Sequence, residues 1–167
     1  PTPTISDDCA TFTEPTENDI DFSLRFGESL FDPNTWARSY TVEAQRVSVS
    51  WTNDNESAVA YLDYLIFSCG YTATDLEIYF GDSYWPILFQ NYASFEPQRA
   101  CGSFQEGLSL YEFEAVSNDA RYHVRYWVRP ENSTGVLTLF LVFPTQAEAT
   151  MDKYAAEMFP TLVTCEE

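Results

Sequence analysis

Hydrophobic and polar residues alternate most regularly in the last third of the chain. Residues 107–116, 121–129 and 136–143 place apolar side chains at every second position, and the turn-like segments SNDA and PENSTG separate them. A period of two is typical of half-buried β-strands, and short polar connections are typical of hairpins. The pattern predicts a three-stranded antiparallel meander.

The apolar period changes to that of a helix directly after the third of these strands. The spacing predicts a helix from about Gln146 to Phe159, with Thr145 as its N-cap and Glu148 completing a capping box. Pro160 cannot continue a helix and marks its end.

The first part of the chain shows shorter patterns. Residues 20–26 alternate and predict a short strand, and 27–38 contain several turn residues. Residues 40–51 also alternate, but the phase of their apolar positions shifts near Gln45. The shift predicts one strand with a bulge or a bend at that point.

The middle of the chain predicts a helix followed by a long connection. Apolar residues in 57–68 recur at helical spacing, and Gly70 stands where such a helix would end. Residues 75–80 predict a short strand. Residues 81–102 are aromatic and have no clear period, which predicts a long ordered loop with one short helical turn.

Together these elements predict an α+β fold. Its antiparallel β-sheet has a C-terminal three-stranded meander and is packed by a central helix, 57–68, and by the C-terminal helix. Residues 1–19 are polar and predict a linker-like N-terminal tail pinned by Cys9. Residues 20–167 then form a single domain, which is long enough to bury a substantial core.

Composition and charge narrow the class of protein. Hydrophobic residues make up 45% of the chain and aromatic residues 17%, so the chain has enough apolar material to fold. The formal net charge is −18. Such a charge repels nucleic-acid phosphates and anionic lipids, so we expect no nucleic-acid partner. Solubility explains the acidity, and a cationic partner is the alternative.

The four cysteines, Cys9, Cys69, Cys101 and Cys165, lie far apart and show no CxxC spacing. Two disulfides fit this spacing better than a zinc site, and they indicate an oxidising, extracytoplasmic compartment: secreted, periplasmic or cell-surface. Four cysteines allow three pairings. Because domain termini often lie close together, we expect Cys9 to pair with Cys165 and Cys69 to pair with Cys101.

The start of the chain, PTPT from Pro1, is typical of the end of an extended linker. One interpretation is a tether or lipid anchor upstream of Pro1, as in a lipoprotein, and the other is a plain mature N-terminus. No hydrophobic run is long enough to predict a membrane span. The tripeptides NES and NST make Asn55 and Asn132 candidate glycosylation sites in a eukaryotic secreted protein.

Turn lengths set the register of the predicted meander. The first hairpin sets Val116 opposite Arg121, and the second sets Val136 opposite Arg129. One face of the meander is then core. Its members are Tyr122, Val124, Tyr126 and Val128 against Leu137, Leu139, Leu141 and Phe143.

The opposite face of the meander carries the main candidate binding residues. They are either anchors for an anionic or aromatic ligand or partners in cross-strand ion pairs with Glu112 and Glu114. Apolar residues on the same face predict that a helix or the long loop covers it. The candidates are Arg121, His123, Arg125, Trp127 and Arg129.

Residues 79–95 are rich in aromatic side chains, among them the candidate ligand contacts Tyr84 and Trp85. These side chains either line a ligand groove or fill the core beneath the loop. The chain contains no GxSxG, Walker A, GxGxxG, HExxH or EF-hand motif, so we expect no enzyme, cofactor or metal. A hydrolase with paired carboxylates is a third, weaker hypothesis.

The order of elements over roughly residues 40–160 resembles the Mog1/PsbP-like fold. The segments that carry the resemblance are VSVSW, SAVAYLDYLIFS, YEFEAV, YHVRYWVRP, GVLTLFLVFP and AEATMDKYAAEMFPTL. The resemblance implies an antiparallel sheet sandwiched by helices, with the last strand leading into a C-terminal helix. It also implies a binding or assembly factor without a shared catalytic residue.

The sequence thus predicts a non-enzymatic extracytoplasmic domain that binds a protein partner or serves as an accessory subunit. A membrane tether through the N-terminal linker is one of the two interpretations of its start. The alternative is a domain that binds a small ligand or a carbohydrate through the aromatic segment 79–95.

Overall fold

The computed structural model describes residues 14–166, which form one antiparallel sheet with helices on both faces. The elements are, in chain order, α1 (Glu17–Phe26), β1 (Ala37–Glu43), β2 (Arg46–Asn53), β3 (Ala58–Ile66), α2 (Ala73–Tyr79), α3 (Trp85–Leu88), β4 (Ser94–Ser103), β5 (Leu108–Ser117), β6 (Ala120–Pro130), β7 (Gly135–Pro144) and α4 (Glu148–Met158). The strand order is β1-β2-β3-β7-β6-β5-β4. The predicted α+β class, the C-terminal meander and the C-terminal helix are confirmed.

The first predicted strand, 20–26, is wrong, because these residues belong to helix α1. The Thr16 hydroxyl accepts a hydrogen bond from the Asp19 backbone N–H at 3.2 Å, and the Asp19 carboxylate accepts one from the Thr16 N–H at 2.8 Å. This capping box starts the helix just upstream of the alternating residues. Tertiary packing on β2 and β3 then selects helix over strand.

The predicted bent strand 40–51 is a hairpin of two strands. Ala44 and Gln45 form a tight turn between β1 and β2, and Gln45 has a φ of 65°. The phase shift near Gln45 therefore marks a reversal of the chain.

The predicted central helix, 57–68, is wrong, because these residues form strand β3. Ala60, Leu62 and Tyr64 are buried at a period of two on one face of the strand, while Leu65 is buried on the other. A strand with apolar residues on both faces loses its alternation and imitates helical spacing. The predicted strand 75–80 is likewise wrong, because it overlaps α2, and the predicted loop 81–102 contains both α3 and β4.

The first hairpin of the meander has the predicted register, with Val116 opposite Arg121. The second is shifted by one residue, because Val136 pairs with Pro130 and Arg129 pairs with Leu137. The Asn132 side chain closes a tight turn by accepting the Gly135 N–H at 2.6 Å. The predicted core pairing of the two strands is therefore wrong.

The C-terminal helix begins differently from the prediction. A short 3-10 turn (Thr145–Ala147) precedes α4, and Thr145 does not act as its N-cap. Among residues 14–166, no helix combines the length and apolar character needed to cross a membrane.

Both predicted disulfide pairs are wrong, because Cys101 is bonded to Cys165, with their Cα atoms 5.7 Å apart. Cys69 is disulfide-bonded as well. Cys9 and residues 1–13 of the expected linker-like tail lie outside the described residues, whereas residues 17–19 of that tail form the start of helix α1. The C-terminal segment, residues 160–166, crosses the sheet from β6 over β5, which brings Cys165 to β4.

The sheet separates two hydrophobic cores. We call the side that carries Trp51, Leu62, Leu139 and Trp127 the front face, and the side that carries Ser48, Asp63, Thr138 and Tyr126 the back face. α1, α4 and the C-terminal segment pack on the front face. α2 and α3 pack on the back face over β5, β6 and β7, while the back faces of β1 and β2 contribute nothing to this core.

Candidate functional site

A cavity of about 670 Å³ lies on the back face, where the cover formed by α2 and α3 ends. Its floor is formed by β1, β2, β3 and β7, and one wall is formed by Leu88, Asn91 and Tyr92 from the end of α3 and the following loop. Tyr61 on the floor is 42% exposed, so the cavity is open to solvent. Its volume is in the range of natural small-molecule sites.

Cross-strand pairing arranges the floor in two rows, each with one side chain from each of four strands. Because paired residues in an antiparallel sheet point to the same face, every member of a row faces the cavity. The first row is Thr41, Ser48, Asp63 and Thr138, and the second is Ser39, Ser50, Tyr61 and Phe140.

Asp63 carries the charge of the first row. The Ser48 hydroxyl donates a 2.5 Å hydrogen bond to Asp63 Oδ1. No described residue donates a hydrogen bond to Asp63 Oδ2, and this oxygen is not among the fully buried atoms. Burial raises the pKa of the Asp63 carboxyl, while the Ser48 hydrogen bond and the positive charge of Arg46 oppose the shift. Asp63 therefore keeps one free acceptor next to the cavity.

Aromatic rings gather around Phe140 at the end of the second row. The Phe140 ring centroid lies 5.9 Å from that of Tyr61 and 6.3 Å from that of Tyr92. Burial raises the pKa of Tyr92 to about 12, and Tyr61 and Tyr122 are close enough to add to the shift. This end of the cavity thus offers apolar ring faces beside a polar row.

The aromatic candidates from the sequence, Tyr84 and Trp85, lie next to this cavity and do not line it. Trp85 is 7% exposed and packs against Tyr111 and Phe113, with ring centroids 4.8 and 5.1 Å away. The Tyr84 hydroxyl lies 3.0 Å from that of Tyr126, which lines the cavity. Both residues therefore help to build the back core.

The central strand-face candidates, Arg125 and Trp127, lie beneath α4 and the C-terminal segment. Arg125 is 4% exposed, and its guanidinium lies 3.4 Å from Glu112 and 2.6 Å from Asp152. Trp127 is fully buried and donates its indole N–H to the Leu162 carbonyl at 2.7 Å. Helix α4 and the C-terminal segment cover this face, so Trp127 has no access to solvent, while Arg125 lies in the wall of a smaller cavity of about 390 Å³ between β5, β6 and Glu148.

The other three strand-face candidates, Arg121, His123 and Arg129, each lie beside a glutamate carboxylate. Arg121 pairs with Glu114 at 3.1 Å, and His123 Nε2 lies 3.7 Å from Glu148. Arg129 pairs with Glu131 and also stacks its guanidinium over two aromatic rings, those of Phe26 and Phe159, at 5.4 and 5.7 Å. The structure thus brings three of the five candidates, Arg121, Arg125 and Arg129, into ion pairs on the front face and places His123 beside the Glu148 carboxylate.

The two candidate glycosylation sites differ in their surroundings. Asn55 is exposed in the turn between β2 and β3. The Asn132 side-chain amide donates to the Tyr64 hydroxyl at 3.1 Å and its oxygen holds the next turn. Whether either residue carries a glycan stays a prediction.

The cavity residues were not singled out from the sequence. The helix predicted over 57–68 places Asp63 and Tyr61 on different helix faces and gives neither a contact with Ser48 or Ser50. The available signal is that polar residues recur at every second position of 46–53, and that Tyr61 and Asp63 stand two residues apart in the apolar segment 58–66.

A scan against protein-family models finds no match, and a search of curated proteins finds no similar sequence. In the described part of the chain, no three His, Cys, Asp or Glu side chains are grouped as ligands for a metal ion.

Proposed function

We propose that this protein is an extracytoplasmic binding domain that holds a small ligand in the back-face cavity. The observation that carries the proposal is the pairing of a polar row, with the free Asp63 Oδ2, and a ring cluster in one open cavity of about 670 Å³. A few convergent polar groups beside apolar walls are what ligand sites generally offer. The Cys101–Cys165 disulfide is compatible with the proposed location.

A steric block of the cavity tests this function. Ser50→Phe places a large ring in the floor of the cavity without touching either core. Ser94→Phe makes the same change at the opposite edge of the sheet and serves as the control. Binding of sugars, amines and carboxylic acids is followed through backbone amide shifts in NMR spectra of the ¹⁵N-labelled protein.

At least one compound class should shift the amides of the two floor rows in the wild type and in the Ser94→Phe variant, but not in the Ser50→Phe variant. The proposal fails if no class shifts those amides, or if Ser50→Phe leaves the shifts unchanged.

A second candidate function, that of a tethered accessory subunit with a protein partner, is favoured by the edge strand β1. Every residue of β1 is exposed, and its outward amides belong to Arg38, Tyr40 and Val42. The other edge, β4, is protected by Pro97 and a register shift, whereas β1 has neither proline nor bulge. An unprotected edge accepts a strand from a partner.

The accessory function is tested with Tyr40→Lys, which puts a charge on the open edge. Ile87→Lys replaces another exposed apolar residue, on α3, and is the control, since Ile87 is 62% exposed and Tyr40 is 50% exposed. A partner cross-linked to the native protein should be lost in the first variant and retained in the second. Retention in both variants would contradict a role for β1. The Mog1/PsbP-like resemblance, with its binding and assembly factors, agrees with either function.

A further inference from the structure

The carboxylate and the ring cluster of the cavity lie side by side. Tyr61 and Asp63 are two residues apart on the same face of β3, which separates their Cα atoms by about 7 Å. Their partners on β7, Phe140 and Thr138, repeat the arrangement. A group seated between the two floor rows therefore contacts ring faces and the Asp63 carboxylate together.

Asp63 is short of favourable partners for a negative charge. Its Oδ1 has Ser48, but no described residue donates to Oδ2. Burial disfavours the ionised form of the carboxyl, so a positive charge brought by a ligand would offset the lost hydration. Among the described residues that line the cavity, Arg46 is the only cation, and its Nη2 is held 2.9 Å from Glu43 Oε2 at the rim.

The net charge of the whole chain also favours a cationic ligand over an anionic one. A net charge of −18 creates a potential that concentrates cations and repels anions near the surface. An anionic ligand would meet this field and the Asp63 carboxylate, with Arg46 as a partly neutralised counterion. Ring faces attract cations through their quadrupole, and aromatic sites of this kind recognise alkylammonium groups.

We propose that the cavity recognises ligands that carry an alkylammonium cation, which packs on the rings of Tyr61 and Tyr92 and pairs with the Asp63 carboxylate. This inference rests on the proposed small-ligand function and names the ligand class. A neutral polyhydroxylated ligand, such as a sugar, would use the hydroxyl rows and leave the charge of Asp63 without compensation.

The test compares two probes of nearly equal shape, choline and 3,3-dimethylbutan-1-ol, which differ by one positive charge. Each is titrated against the wild-type protein at low ionic strength, and binding is read from the amide shifts of Ser48, Tyr61 and Asp63. We expect choline to bind about tenfold more tightly than its neutral analogue, and added salt to weaken it.

Two variants distinguish the effect of the Asp63 charge in the cavity from the effect of the net charge of the chain. Asp63→Asn should weaken choline binding about tenfold while changing the affinity for the neutral analogue little. Asp54→Asn removes the same charge from the exposed turn between β2 and β3 and should leave both affinities within about twofold. Because the probe comparison uses the wild-type chain, it stands even if the Asp63 variant folds poorly.

Equal affinity for choline and its neutral analogue would overturn the inference, as would an equal loss in the two Asn variants. If neither probe moves the floor amides but a sugar does, the cation inference fails and the small-ligand function stands. If no compound class moves them, both fail.

Discussion

Removal of the Cys101–Cys165 disulfide is expected to have the largest effect on stability. The bond joins β4 to the C-terminal segment across a sequence separation of 64 residues. In the chain-entropy treatment, losing a cross-link over a loop of this length destabilises the folded state by about 4 kcal/mol near room temperature. The C101A/C165A variant should therefore lose about that much free energy of unfolding.

The C-terminal segment can add to this loss. Its backbone carbonyls at Leu162 and Val163 accept hydrogen bonds from Trp127 at 2.7 Å and Arg125 at 3.2 Å. Each such bond contributes about 1 kcal/mol, more when the donor is charged. Full detachment of the segment would therefore raise the total loss to about 6 kcal/mol.

Urea unfolding without reductant measures the effect, with far-UV circular dichroism and tryptophan fluorescence as two probes. Thr161→Ala, at an exposed position of the same segment, serves as the control and should change the unfolding free energy by less than about 0.5 kcal/mol. Peptide mapping of the unreduced wild type checks the pairing. A loss below about 1 kcal/mol, or mapping that joins Cys165 to Cys9, would refute the reasoning.

Three further predictions concern single side chains. Because the pKa of Asp63 is raised above its ordinary 3.8, the wild type should lose stability relative to D63N as the pH rises above about 4, which urea unfolding over a pH series measures. Arg125→Met should cost about 2–3 kcal/mol because the buried Glu112 carboxylate loses one of its two cationic partners and keeps only Arg99, whereas Arg121→Met at an exposed pair should cost less than about 1 kcal/mol in the same assay. Gly27→Ala should cost about 1–3 kcal/mol, since an added Cβ would lie 2.5 Å from a ring carbon of Trp51, and a lowered melting temperature would report it.

The elements predicted correctly are those whose information is local. β5 and β6 alternate, β7 is a continuous apolar run, and short turns join the three strands; the four-residue connection sets Val116 opposite Arg121. The second register was wrong by one residue, because Asn132 tightens its turn through side-chain hydrogen bonds that alternation does not encode. α4 was predicted from its apolar stripe, but its first turn was not.

The wrong elements have a common physical cause. β3 lies between β2 and β7 and carries apolar residues on both faces, with Leu65 buried on the back face, so its sequence does not show a period of two. α1 and α2 are short helices that begin with capping boxes at Thr16 and Thr72. In each, a few alternating apolar and polar residues predict a strand in place of the helix. A helix over these residues hides their neighbours, because only strand pairing sets Asp63 opposite Ser48 and Tyr61 opposite Ser50.

Periodicity and charge are properties of the chain, so the α+β class, the meander, the closing helix and the strongly acidic composition follow from the residues alone. The partner of Cys165, the burial of Arg125 and Trp127, and the cavity around Asp63 were decided only by the tertiary structure. Each depends on which distant segments lie against a sheet face, and the free energy of that packing is summed over contacts that no local pattern records.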